Sequence, residues 1–139
     1  MDRLLRWSSS HGMEEAGMMN NLHLHSFDND ETLALALAGA IVQNLRDAID
    51  EKGHASLIVS GGTTPKKLFS CLSQSNLLWD KITIGLCDER WVESTHNDSN
   101  EKMVKEMLMI NNASKATFVG MVIEGLDTVS AEAACSERI

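Results

Sequence analysis

The stretch that most narrows the choice of fold is residues 57–69, Leu-Ile-Val-Ser-Gly-Gly-Thr-Thr-Pro-Lys-Lys-Leu-Phe. Leu57, Ile58 and Val59 form an apolar run too short for a helix, which predicts a strand covered on both faces. Gly61 and Gly62 follow, and glycine admits positive φ and lets a ligand come close to the backbone. Thr64 has the side chain of an N-cap, and Pro65 suits the first helical position, where its missing N–H costs nothing. A strand, a glycine turn and a helix start in that order aim free amides and the positive end of the helix dipole into the mouth of the turn. A phosphate held by Ser60, Gly61, Gly62, Thr63 and Thr64 is the natural occupant, and a tight turn with no ligand is the competing reading. The stretch is not a Walker A loop, because no lysine and hydroxyl residue follow a glycine at the required spacing. It is not a dinucleotide fingerprint either, because the third glycine is missing.

A second buried run, Ile82-Thr83-Ile84-Gly85-Leu86-Cys87, leads straight into Asp88-Glu89-Arg90-Trp91-Val92. Strand, helix, strand implies a crossover and a parallel sheet. The carboxyl ends of both strands then lie on one edge, where open α/β sheets bind ligands. The Ser60–Thr64 turn and Asp88-Glu89-Arg90 are therefore expected to meet. An isolated Asp-Glu-Arg after a strand reads as a surface ion-pair cluster; beside a phosphate-type turn it equips a cleft. Trp91 is expected to pack, as aromatics after strands usually do, with stacking on a sugar as the alternative.

The remaining elements read as scaffold. Residues 22–27 predict a short edge strand with His23 and His25 facing solvent, since no third ligand accompanies them. A helix is expected over residues 31–51, capped by Asp28 or Asp30 and stopped by Gly53. Its buried stripe is Leu33, Leu37, Ile41, Leu45 and Ile49, widened by Ala34, Ala38, Val42 and Ala48 so that the helix can lie close to a sheet. The helix from Pro65 to about Leu72 buries Leu68, Phe69 and Leu72, and carries Lys66 and Lys67 in its first turn, a poor place for cations unless an anion is near. Another helix starts at Asp98 or Ser99, where Asp98 and Glu101 suggest a capping box. It buries Met103, Val104, Met107 and Leu108. Residues 116–122 predict a third strand and 130–138 a further helix. The fold class is α/β, a doubly wound, mainly parallel sheet.

At 139 residues the chain is one domain's worth, and its net charge of −8 argues against general nucleic-acid binding. An anionic ligand must then be held by a local positive site, which suits a small phosphorylated metabolite. Cys71, Cys87 and Cys135 have no metal-type spacing and read as reduced thiols of a cytoplasmic protein. No apolar run is long enough to span a bilayer. Residues 1–20, polar and rich in methionine, are expected to be a disordered extension or a mis-assigned start, and residues 21–139 part of a single domain.

Ser60-Gly61-Gly62-Thr63-Thr64-Pro65, then Cys87-Asp88-Glu89-Arg90-Trp91-Val92, then Asn97-Asp98-Ser99-Asn100 resemble, in order and spacing, the 6-phosphogluconolactonase family. This family is related to the glucosamine-6-phosphate isomerase/deaminases. The similarity runs over about residues 25–125, including Trp79. Asp-Glu-Arg favours the lactonase branch, since the deaminases typically carry an aromatic after Asp-Glu. The resemblance implies a doubly wound sheet and hydrolysis of 6-phospho-D-glucono-1,5-lactone, a small phosphorylated sugar lactone, without metal or organic cofactor. It implies that the Gly61–Thr64 turn contributes to the phosphate site, that Arg90 holds the anionic substrate or the charge developing at the lactone, and that Asp88 sits near the sugar. Ser99 and Asn100 would shape the site. The family's proposed general base is a histidine in a later Gly-Asp-Gly-His-Thr segment, and none of His11, His23, His25, His54 or His96 has that context. The chain thus corresponds to the amino-terminal half or so of such an enzyme. A non-catalytic sugar-phosphate-binding fragment and a deaminase relative are the other readings.

Overall fold

The computed structural model describes residues 3–8, 22–122 and 125–138. A short antiparallel pair, β1 (Arg3–Ser8) and β2 (Leu22–Phe27), precedes the main unit. β1 falls within the stretch expected as an extension; it finds its hydrogen-bond partners on β2, whose edge would otherwise be unpaired. Residues 9–21 of that stretch lie outside the described residues. His23 and His25 are exposed on β2.

α1 (Asp30–Lys52) is capped by Asn29, whose carboxamide oxygen accepts from the Thr32 amide at 2.9 Å. The cap is thus neither Asp28 nor Asp30: Asn29 has the extended backbone that turns its side chain back on the first turn. Gly53 ends the helix with φ 79°, as expected. The buried line on α1 is Ala34, Ala38, Leu45 and Ile49, while Leu33 and Leu37 are only half-buried. Alanines in the first half bring the helix axis close to its neighbours, so the leucines there flank the contact.

β3 (Ala55–Val59), α2 (Lys66–Ser73), β4 (Ile82–Leu86), α3 (Asn100–Met107) and β5 (Thr117–Phe118) build a three-stranded parallel sheet of order β3-β4-β5. Its register pairs Val59 with Leu86 and Ile84 with Phe118. α4 (Thr128–Arg138) follows. One sheet face carries Ala55, Val59, Ile82, Ile84 and Leu86 into a core completed by Leu45 and Ile49 of α1, Phe69 and Leu72 of α2, Val104 of α3, its C-cap Leu108, and Trp79. The Trp79 indole N–H donates to the Ser75 carbonyl at 3.0 Å, so this large buried ring leaves no polar atom stranded.

The expectation that β3 is covered on both faces fails. Ser56 is exposed and Ile58 is 52% exposed, lying across Gly85 on the face opposite the core. An apolar run reports burial only where a second layer is present, and α1, α2 and α3 pack against the other face. No described helix is long and apolar enough to cross a membrane.

Candidate functional site

The two strand ends are held together one step beyond their ladder. The Cys87 amide donates to the Val59 carbonyl at 2.9 Å, so the turn after β3 and the loop after β4 leave the sheet side by side. The expected meeting of Ser60–Thr64 with Asp88–Arg90 is therefore built into the backbone.

In the turn, Gly62 has φ 92°, a conformation only glycine adopts without strain. Helix α2 begins one residue later than the sequence suggested. Pro65 occupies the capping position with φ −79° and ψ −2°, and no side chain caps the helix, so Thr64 does not serve as N-cap. The proline ring already fixes a helical φ, and Thr64 remains in the turn. An open cavity of about 500 Å³ lies between this turn and the first half of α1. Ser60, Gly61, Thr63, Thr64 and Lys67 line one side, with Leu33, Leu37 and Asp30 of α1 opposite. Gly62, Asp88 and Arg90 are not among its lining residues.

Arg90 lies on the other side of the turn. Its Nη1 donates to the Asp98 carbonyl at 2.9 Å and to Asn100 Oδ1 at 3.3 Å. Asn100 in turn donates from Nδ2 to the Asp88 carbonyl at 3.0 Å. The same carboxamide sits where a Cβ on Gly61 would be, overlapping Oδ1. Gly61 is thus glycine for the sake of Asn100, and the phosphate-type turn is separated from the guanidinium by a single carboxamide.

Glu89 organises the start of α3. Its carboxylate accepts from the amides of Arg90 at 2.8 Å, Asn100 at 2.7 Å and Glu101 at 2.8 Å, and from the Ser99 hydroxyl at 3.1 Å. Burial pushes its pKa up, but these donors outweigh burial and hold it below the ordinary glutamate value. Ser99 is the N-cap, its Oγ accepting from the Lys102 amide at 3.2 Å. The expected Asp98–Glu101 capping box does not form, because Glu89 takes the amides first. Glu101 pairs with Lys105 at 2.6 Å, and its Oε2 lies 2.7 Å from where a Cβ on Gly120 would sit.

Trp91 is 53% exposed beside Arg90 and not packed in the core, contrary to the sequence expectation. It follows β4 in a loop whose side chains are mostly exposed, and the described residues bring no apolar layer over that edge. His96 Nδ1 accepts from the Asp98 amide at 3.1 Å, within the loop that Arg90 grips. Among the described residues, no three His, Cys, Asp or Glu side chains group as a metal site. Sequence reasoning expected the turn and Asp88–Arg90 to lie side by side and Asn100 to shape the site, but not Glu89 as a hub or Asn100 as the bridge. The only local signal was an asparagine directly after a capping serine, where its side chain is free to point away from the helix.

The sequence matches the family described as glucosamine-6-phosphate isomerases/6-phosphogluconolactonase over residues 28–139. It is 44% identical over 101 residues to a 6-phosphogluconolactonase of Neisseria meningitidis serogroup A, covering 73% of this chain and 44% of that one. A 6-phosphogluconolactonase of Pseudomonas putida is 36% identical over 124 residues, covering 88% and 51%. The crystal structure of a 6-phosphogluconolactonase from Shewanella baltica superposes with a TM-score of 0.78 at 41% identity, covering 81% of this chain and 48% of that one. The chain spans about half the length of the curated relatives it matches.

Proposed function

The chain belongs to the glucosamine-6-phosphate isomerase/6-phosphogluconolactonase family, and we propose that it forms the amino-terminal part, in a single domain, of a 6-phosphogluconolactonase. The reaction is hydrolysis of 6-phospho-D-glucono-1,5-lactone to 6-phosphogluconate in the oxidative pentose phosphate pathway. The observation that carries this reading is the Asn100 carboxamide, which touches the glycine turn on one side and Arg90 on the other.

Attack on a lactone develops negative charge on the carbonyl oxygen, so a site needs a fixed cation there and a hold on the remote phosphate to orient the ring. Arg90 is anchored through Nη1 alone; Nε and Nη2 take part in no hydrogen bond among the described residues and remain for an anion. Ser60, Thr63, Thr64 and the Lys67 ammonium supply the phosphate side, in a cavity of about 500 Å³ that suits a sugar phosphate. Asp30 lines the same cavity, so the phosphate sits at the lysine end. Asp88 is exposed and close to Arg90, where its carboxylate meets sugar hydroxyls. The resemblance puts the residue that takes the proton from water in a Gly-Asp-Gly-His-Thr segment that these 139 residues do not contain. His96 does not replace it, since its Nδ1 holds its own loop. This points to a second reading, a sugar-phosphate-binding piece whose chemistry is completed by a further segment. Free Cys71 and Cys87 accord with a reducing cytoplasm.

The decisive experiment is the rate of lactone hydrolysis by the 139-residue chain above the spontaneous rate. Excess hydrolysis abolished by Arg90→Ala establishes a working lactonase. Binding of 6-phosphogluconate without excess hydrolysis establishes the second reading. Neither activity nor binding removes both.

A further inference from the structure

The buried polar and charged side chains among the described residues are Ser73 and the consecutive trio Ser99, Asn100 and Glu101 at the start of α3. A buried carboxamide needs partners for both ends, and Asn100 has them: Nδ2 on the Asp88 carbonyl, Oδ1 on Arg90, and its main-chain amide on Glu89. Gly61 completes the enclosure, since any side chain there would occupy the carboxamide's place. Glu101, next in the chain, makes the matching close approach to Gly120, just past β5. The first turn of α3 therefore touches the loops that follow all three parallel strands.

The geometry points to Asn100 as a positioning residue that couples the glycine turn to Arg90, so that the phosphate grip and the cation for the lactone are set at a fixed separation. The ligand side of this inference rests on the proposed function; the coupling itself does not. Asn100 donates to and accepts from the protein with both ends of its amide, so it acts through Arg90 and Gly61 and not on substrate. An aspartate there keeps the oxygen that Arg90 needs but loses the donor to the Asp88 carbonyl. Alanine loses both. A methyl on Gly61 displaces the carboxamide and releases Arg90 from the opposite side.

The test is a set of double-mutant cycles on the full chain, read by titration with 6-phosphogluconate and by urea unfolding. Asn100→Ala is expected to weaken 6-phosphogluconate binding about tenfold, the size of one charge-assisted hydrogen bond. In the Arg90→Ala background the same change is expected to add little. Gly61→Ala is expected to weaken binding comparably alone and to do nothing further once Asn100 is alanine. Asn100→Asp should recover part of the loss, which a general packing defect would not. Losses that simply multiply in both cycles overturn the coupling. If the unmodified chain does not bind 6-phosphogluconate, the functional reading fails, and the coupling is then judged from unfolding midpoints. Gly61→Ala must destabilise the chain carrying Asn100 more than the chain carrying alanine at that position. Equal destabilisation overturns it. If Asn100→Ala does not fold, Asn100→Ser takes its place under the same rule, since a serine carries no carboxamide into the space that a methyl on Gly61 needs.

Discussion

The two helices that start at the ligand edge of the sheet, α2 and α3, are each eight residues long and handle their free amides in opposite ways. At α3 the chain brings its own anion: the Glu89 carboxylate accepts from Asn100 and Glu101, and Ser99 caps. At α2 there is no side-chain cap and no acidic residue in the first turn, and Lys66 and Lys67 stand where the dipole disfavours them. One start is a finished structural joint. The other carries cationic side chains beside a cavity, which is why the proposed phosphate site is at α2 and not at α3. An exogenous anion at α3 would first have to displace Glu89 from three amides and a hydroxyl.

Removing that internal anion is expected to have the largest effect. Glu89→Ala strands amides of the α3 start and is expected to lower unfolding stability by about 2–3 kcal/mol, measured as a fall in the urea midpoint. The same carboxylate gives a pH signature. Its pKa is depressed in the folded state, so its contribution is complete above the ordinary glutamate range and is lost as pH falls below about 4.3. Glu89→Gln should therefore flatten part of the acid limb of stability below about pH 4.3. An unchanged acid limb would mean that the carboxylate is dispensable and the two helix starts are alike.

Next in size is the cation at α2. Lys67→Ala is expected to weaken 6-phosphogluconate binding about tenfold while leaving the unfolding midpoint unchanged. Lys102→Ala, in the first turn of α3 and bonded to Asn97 at 2.7 Å, serves as the matched control and should leave binding intact. Equal losses from the two lysines would show a diffuse charge effect and no site at α2.

The parts of this contrast differed in how far they could be read from sequence. The parallel pairing of β3 with β4 was legible because two apolar runs flank a helix-length segment, and the side-by-side exit of the Ser60–Thr64 turn and the loop after β4 followed from topology alone. The stop at Gly53 was legible because the left-handed residue is a glycine. Cap positions were not resolved: Asp28, Asn29 and Asp30 all satisfy the same rule, and only backbone angles choose Asn29. The exposed side of Ile58 was hidden because an apolar run does not say which of its faces receives a helix layer. Glu89 and Asn100 were hidden for a different reason. Their bonds join residues about eleven apart through a loop, and no local pattern distinguishes a carboxylate that caps a distant helix from one in solvent.

The smallest expected effect is also the most direct comparison, since it makes the same chemical change at both helix starts. Ser99→Ala removes a hydroxyl that accepts from Lys102 and donates to Glu89, and is expected to cost about 1 kcal/mol of unfolding stability. Thr64→Ala removes a hydroxyl beside a helix that has no side-chain cap, and is expected to stay within about 0.5 kcal/mol. In the binding titration the order should invert, because Thr64 lines the cavity and Ser99 does not. A chain in which Ser99→Ala harms both properties and Thr64→Ala harms neither has its anion site at α3 after all, with Glu89 as a competitor and not a plug. Opposite rankings in the two measurements are what a division of labour between the two helix starts requires.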